Sequence, residues 1–193
     1  VVGAQLGEEA ISTSLKAGAI GLAIVIIFMI AVYLLPGLVA GIALIIYTGL
    51  MLVMLNAFDI TLTLPGIAGI ILSIGMAVDA NVIIYARIKE EIAAGSNVKT
   101  AIRTGYQKAF SAIIDGNITT LIAAIVLGLK GSGSVKGFAS TLALGIVLSM
   151  FTALVISRLL MTALYTLGLR DAKYYGKAKE HKTINFLGKK NIF

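Results

Sequence analysis

Residues Leu64–Ala86 read LPGIAGIILSIGMAVDANVIIYA, and one residue in them, Asp79, carries charge. Crossing about 30 Å of hydrocarbon takes roughly 20 helical residues, which this run supplies. Pro65 suits the first turn of a helix, where its missing N–H is not needed. Lipid cannot satisfy backbone groups and no barrel-like alternation is present, so the run predicts a membrane-spanning helix.

Four further runs share this character. They are Ala17–Leu35, Gly37–Phe58, Ala109–Leu129, broken only by Asp115, and Gly137–Ser157. The chain has 193 residues, 59% hydrophobic and 13% charged, with mean hydropathy +0.99. A soluble domain carries about a quarter charged residues, so the fold class is an all-α integral membrane bundle of five helices, without sheet. Absence of cysteine excludes a disulfide scaffold. Pro36-Gly37 predicts a tight turn, Asn56–Leu64 a short link, Gly95-Ser96-Asn97 a break, and Lys130–Lys136 a flexible turn. The expected division is 1–14 before the bundle, 15–167 within it, and 168–193 as a loosely ordered basic tail.

The net charge of +7 follows topology. Lys16, Lys130 and Lys136 fall on one side of five spans. Twelve basic residues fall on the other, in Arg87–Lys108 and beyond Gly168. The bias places that loop and the C-terminus in the cytoplasm. Contact with anionic lipid then accounts for the tail, and no nucleic-acid partner is expected. Residues 1–16 are left outside with no signal-peptide pattern. We therefore expect a preceding span and an extracytoplasmic segment ending near Leu6-Gly7-Glu8-Glu9.

A carboxylate inside a span costs about 2.5–3.5 kcal/mol on insertion scales and marks a functional candidate facing protein or water. Asp79 lies roughly 20 Å along its helix. Ala68, Leu72, Gly75 and Ala86 fall within about 40° of it on a wheel. Small residues there, Gly75 and nearby Gly69 among them, allow a partner helix to approach. A carboxyl moved between a dry contact and a cation changes its proton affinity, which suits ion coupling. The alternative is a structural aspartate held by a hydroxyl, amide or arginine.

Asp115 forms a stripe with Ser111 and Thr119, near Asn117 and Thr120. The stripe suits an ion path or interhelical hydrogen bonding, and the structural role is favoured. Arg158 follows a complete span and is expected to snorkel to the cytoplasmic interface. Gly37 and Gly41 suggest a helix contact. Asp59 is expected in solvent, and His181 has no partner at metal-ligand spacing. No metal site, cofactor, phosphate loop or hydrolase motif is present in the sequence, so no enzyme activity is expected.

Several blocks together resemble one family. They are Leu64–Ile70, Gly75–Val82, Asp115–Ala124, Gly131-Ser132-Gly133 with Val135–Ala139, and Ser149–Ala153. In this order they resemble the SecD family of bacterial protein-export subunits, similar in their membrane part to resistance–nodulation–division transporters. Asp79-Ala80, where the related SecF has an Asn-Asp pair, favours SecD. Ala86 departs from a glutamate common in the family.

The resemblance implies spans two to six of a six-span half-transporter in the bacterial plasma membrane, following a large extracytoplasmic domain. It also implies SecF, the SecYEG channel, the SecA motor and a translocating polypeptide as partners. The coupling ion would be H⁺, or Na⁺ in some bacteria, with Asp79 as the in-membrane carboxylate. A small-molecule or lipid exporter of the same superfamily and a passive scaffold are the competing readings.

Overall fold

The computed structural model describes residues 2–175, with side chains from residue 9 onward. The chain runs through α1 (Val2–Tyr33), α2 (Leu35–Ala57), α3 (Leu64–Ala93), α4 (Val98–Lys130) and α5 (Ser134–Phe151). A π-turn (Thr152–Ile156) joins α5 to α6 (Ser157–Thr166), and a 3₁₀ turn comes after it at Ala172–Tyr175. Five helical segments among the described residues are long and apolar enough to span a membrane: Glu9–Tyr33, Leu35–Ala57, Leu64–Ala93, Val98–Lys130 and Ser134–Thr166. The described residues contain no strand.

The helices overrun their apolar runs because caps, not hydropathy, end them. The Thr63 side chain accepts from the Gly66 N–H at 3.1 Å and starts α3 at Leu64. Asn97 accepts from the Thr100 N–H at 2.9 Å and starts α4, just after Gly95 breaks the chain at φ 89°. Charged turns continue α3 past Ala86, where Arg87 pairs with Glu90 and Lys108 reaches back to Glu91. At 1.5 Å per residue, the 30 residues of α3 reach roughly 45 Å, longer than the hydrocarbon alone.

The first hairpin turns two residues earlier than Pro36-Gly37 implies. Its bend is Leu34, at φ 54°, and Pro36 lies inside the first turn of α2. Proline is better placed there than in the turn, since that position needs no N–H. Gly37 instead supplies close approach: a Cβ would run into the Met29 carbonyl. With Gly41, where a Cβ would lie 3.1 Å from Ile26, it forms the expected α1–α2 contact.

Helices α3 and α5 form the centre, with α2 and α4 against both and α1 against α2 and α3. Lipid tails are as apolar as leucine, so packing and close backbone contact hold such a bundle together. Gly69 shows how: a Cβ there would lie 2.5 Å from Thr141 Oγ1 and 3.0 Å from the Phe138 carbonyl of α5. One core layer packs Ile84, Tyr85 and Ile88 of α3 on Ala101, Tyr106 and Ile113 of α4. A second joins Leu44, Tyr47 and Met51 of α2 to Ala77 and Leu148.

The loosely ordered tail expected beyond Gly168 is not what residues 168–175 show. Tyr175 is buried in the bundle core, which docks the segment, and its hydroxyl donates to the Leu169 carbonyl at 2.9 Å within the segment. Burial raises its phenol pKa above 10. His181 and the lysines beyond residue 175 lie outside the described residues. Residues 2–14, placed by sequence before the bundle, continue α1 as helix.

Candidate functional site

Asp79 lies 15 residues into α3, roughly 22 Å from its start and within the hydrocarbon depth. Its side chain is exposed, and so are Ala68, Leu72 and Gly75 on the same stripe. Among the described residues its carboxylate makes no ion pair. The described residues leave this face uncovered, while Ala86, also on the wheel face, is half-buried.

Two depressions meet at Asp79. A cleft of about 210 Å³ between α3 and α4 is lined by Asp79, Met76, Ile83, Gly116, Asn117 and Thr120. A groove of about 420 Å³ between α1 and α3 is lined by Gly18, Gly21, Gly75, Val78 and Asp79. Gly75 meets no atom within 4 Å of an added Cβ, so it makes no helix contact among the described residues. Its smallness keeps the groove open instead.

The predicted polar stripe divides. Asn117 and Thr120 join Asp79 in the cleft, whereas Asp115 and Thr119 are exposed and lie outside its lining. Two residues along a helix turn the side chain by about 200°, which separates Asp115 from Asn117. The hydrogen bonds of this stripe stay within α4. Asn117 Nδ2 donates to Ile113 O at 2.7 Å, Thr120 to Gly116 O at 3.2 Å, and Thr119 to Asp115 O at 3.1 Å. Among the described residues none of these donors bonds to another helix, since back-bonding to the preceding turn uses them. What the cleft adds to Asp79 is oxygen acceptors, an arrangement that can take a proton or small cation.

Arg158 makes no ion pair among the described residues and lines a groove with Lys99 and Arg103 at the polar end of the bundle. Asp59 is exposed beyond α2, in the left-handed conformation that aspartate tolerates.

Sequence reasoning misses a buried polar seam. Tyr47 Oη lies 2.6 Å from Ser73 Oγ. Ser157 Oγ lies 3.1 Å from Tyr85 Oη and 2.9 Å from Tyr106 Oη. Asn81, two residues from Asp79, is buried and donates to Ala77 O at 3.0 Å, while its Oδ1 has no partner among the described residues. Tyrosines within apolar helices were the available signal, since a buried phenol needs a partner.

The relatives agree with this architecture. A family model described as the MMPL family matches residues 3–186. The protein translocase subunit SecD of Acidaminococcus fermentans is 55% identical over 163 residues, 84% of this chain and 39% of that protein. SecD of Synechocystis sp. is 55% identical over 160 residues, 83% of this chain and 34% of that protein. The crystal structure of SecDF from Thermus thermophilus, a translocon-associated membrane protein, superposes with TM-score 0.82 at 41% identity, over 85% of this chain and 23% of that one. This chain thus spans about a third to two fifths of these SecD relatives. The chain belongs to the MMPL family, and its five-helix bundle matches the membrane domain of SecDF.

Proposed function

We propose that this chain is the ion-coupling membrane part of a SecD-type protein-export subunit. The observation that carries the proposal is Asp79, a carboxylate at hydrocarbon depth on an open face between two depressions. A charge there is unfavourable in lipid, so the face is one for a second protein surface or for water. In this reading a SecF-type subunit covers the stripe of Ala68, Leu72, Gly75 and Asp79. Closing and opening that contact changes the affinity of the carboxylate for H⁺ or Na⁺.

Ion movement is coupled to an extracytoplasmic domain that draws a translocating polypeptide outward beside the SecYEG channel and SecA. One elementary charge crossing 100 mV supplies about 2.3 kcal/mol, so repeated cycles can do pulling work. In this reading the membrane is a bacterial plasma membrane, and the bias of basic residues supports an orientation with Arg87–Lys108 and the C-terminus in the cytoplasm.

The test is gradient-driven protein export by the full-length subunit with its partner, comparing wild type with Asp79→Asn. The substitution keeps size and hydrogen bonding and removes the titrating group. Loss of export with normal membrane levels and an intact complex supports coupling. Unchanged export makes Asp79 a packing residue and moves the search to Asp115. Failure of assembly alone favours a scaffold.

A further inference from the structure

The bundle end opposite the Lys130–Lys136 turn carries a groove of about 460 Å³ that ion coupling does not use. Lys99 and Arg103 enter it from α4, Arg158 and Thr162 from α6, and Arg170 from the segment beyond. Four cations share one concavity whose lining, among the described residues, contains no carboxylate. The ion pairs at this end are made elsewhere, Arg87 with Glu90 and Lys108 with Glu91. Asp171 is next to Arg170 in sequence and makes no ion pair with it.

The groove is also held in shape. Arg170 lies over the Tyr165 ring, 5.7 Å from its centroid. The segment carrying it is held on the bundle by Tyr175, buried in the core beside residues of α2, α3 and α4. Like charges at i and i+4, as in Lys99 and Arg103, repel unless an anion lies among them.

Depth indicates which anion. Arg158 is 24 residues from the start of α5, roughly 36 Å along the helix and so a few ångströms past a 30 Å hydrocarbon layer. Arg103, 27 residues from Lys130, stands roughly 40 Å along α4. Both lie at headgroup level. Towards the hydrocarbon, Val155 and Phe151 precede Arg158 on the same helical run and are 41% and 49% exposed. A cationic cup above an apolar strip matches a phosphate group attached to an acyl chain better than it matches free phosphate.

We propose that this groove binds the phosphate of an anionic phospholipid in the leaflet bordering the Arg87–Lys108 turn. The guanidinium forks of Arg103 and Arg158 suit a phosphodiester, with Lys99 and Arg170 adding charge. The site rests on the proposed membrane orientation but not on ion coupling.

The test uses the purified full-length subunit, stripped of lipid in mild detergent and titrated with phosphatidylglycerol or phosphatidylcholine, with retained lipid counted by native mass spectrometry. Phosphatidylglycerol is retained in preference to phosphatidylcholine. Arg103→Gln with Arg158→Gln weakens that retention roughly 25-fold, about fivefold per charge. Lys130→Gln with Lys136→Gln, at the other end, leaves it unchanged. Should the arginine pair not fold, Lys99→Gln and Arg170→Gln are each expected to lose about fivefold. Equal retention of the two lipids, or variants that bind as wild type, overturns the site. Displacement by excess inorganic phosphate overturns the lipid as its occupant. No gradient enters the measurement, so an inactive coupling carboxylate and an absent lipid site are separate results.

Discussion

The hydroxyl of Tyr106 lies 2.9 Å from that of Ser157, joining α4 to the helix that begins 51 residues later. Tyr85 of α3 reaches the same Ser157 oxygen at 3.1 Å, so three helices meet at one buried atom. The π-turn at Thr152–Ile156 immediately precedes Ser157. A π-turn absorbs one extra residue in a helix and rotates the next helical turn to a new face. Here that next turn opens with Ser157, on which two phenols converge.

Removing that oxygen leaves two buried phenols short of a partner, whereas Tyr106→Phe leaves Tyr85 and Ser157 paired. Ser157→Ala is therefore expected to destabilise the purified subunit by about 1–3 kcal/mol, and Tyr106→Phe by about 1 kcal/mol or less. Equilibrium unfolding in mixed micelles measures both. Equal losses would show that the three groups do not act as one junction.

Glycine positions separate into packed and open ones. Gly37→Ala drives a methyl into the Met29 carbonyl, and Gly69→Ala brings one to Thr141 and the Phe138 carbonyl of α5. Each is expected to cost about 1–3 kcal/mol by overpacking. Gly75→Ala meets nothing within 4 Å and gains helix propensity, so it should leave the isolated subunit as stable as wild type or slightly more so. If the proposed SecF-type subunit covers this face, Gly75→Leu should weaken its association in a pull-down while thermal stability is retained. Destabilisation of the subunit by Gly75→Ala would contradict an open face.

The spans, the breaks before α3 and α4 and the Asp79 stripe are legible in the sequence because each depends on local spacing, whereas the caps at Thr63 and Asn97 emerge only in the structure. Occupancy is not. A wheel orders Gly69 and Gly75 around α3, but only the neighbouring α5 makes one of them a contact and leaves the other open. Asp115 and Asn117 look like one polar patch at two-residue spacing, yet α3 approaches only the Asn117 side. Tyr175 sits in a lysine-rich segment, and its burial depends on a bundle surface distant in sequence.

The division of that stripe makes Asp115 a control for Asp79. Asp115 is exposed outside the cleft, and Asp79 lines it. In export driven by an ion gradient, Asp115→Asn is expected to stay within about twofold of wild type, while Asp79→Asn loses more than about tenfold. Tenfold corresponds to about 1.4 kcal/mol in the coupled step. A larger loss from Asp115→Asn would move ion coupling to the opposite face of α4.

Asn81 differs from the tyrosine–serine junction in what it leaves unmade. It is buried where α1, α2 and α3 meet, beside Met29 and Leu44, and its Oδ1 already lacks a hydrogen-bond partner among the described residues. Its Nδ2 donates to the Ala77 carbonyl within its own helix, so truncation strands no group on another helix. The desolvation cost of an unpaired amide oxygen disappears with the side chain and offsets much of the small void that remains. Asn81→Ala is therefore expected to change the stability of the subunit by less than about 1 kcal/mol, well below Ser157→Ala under the same conditions. If Asn81→Ala is as destabilising as Ser157→Ala, Oδ1 has a partner in the folded protein in micelles beyond the described residues.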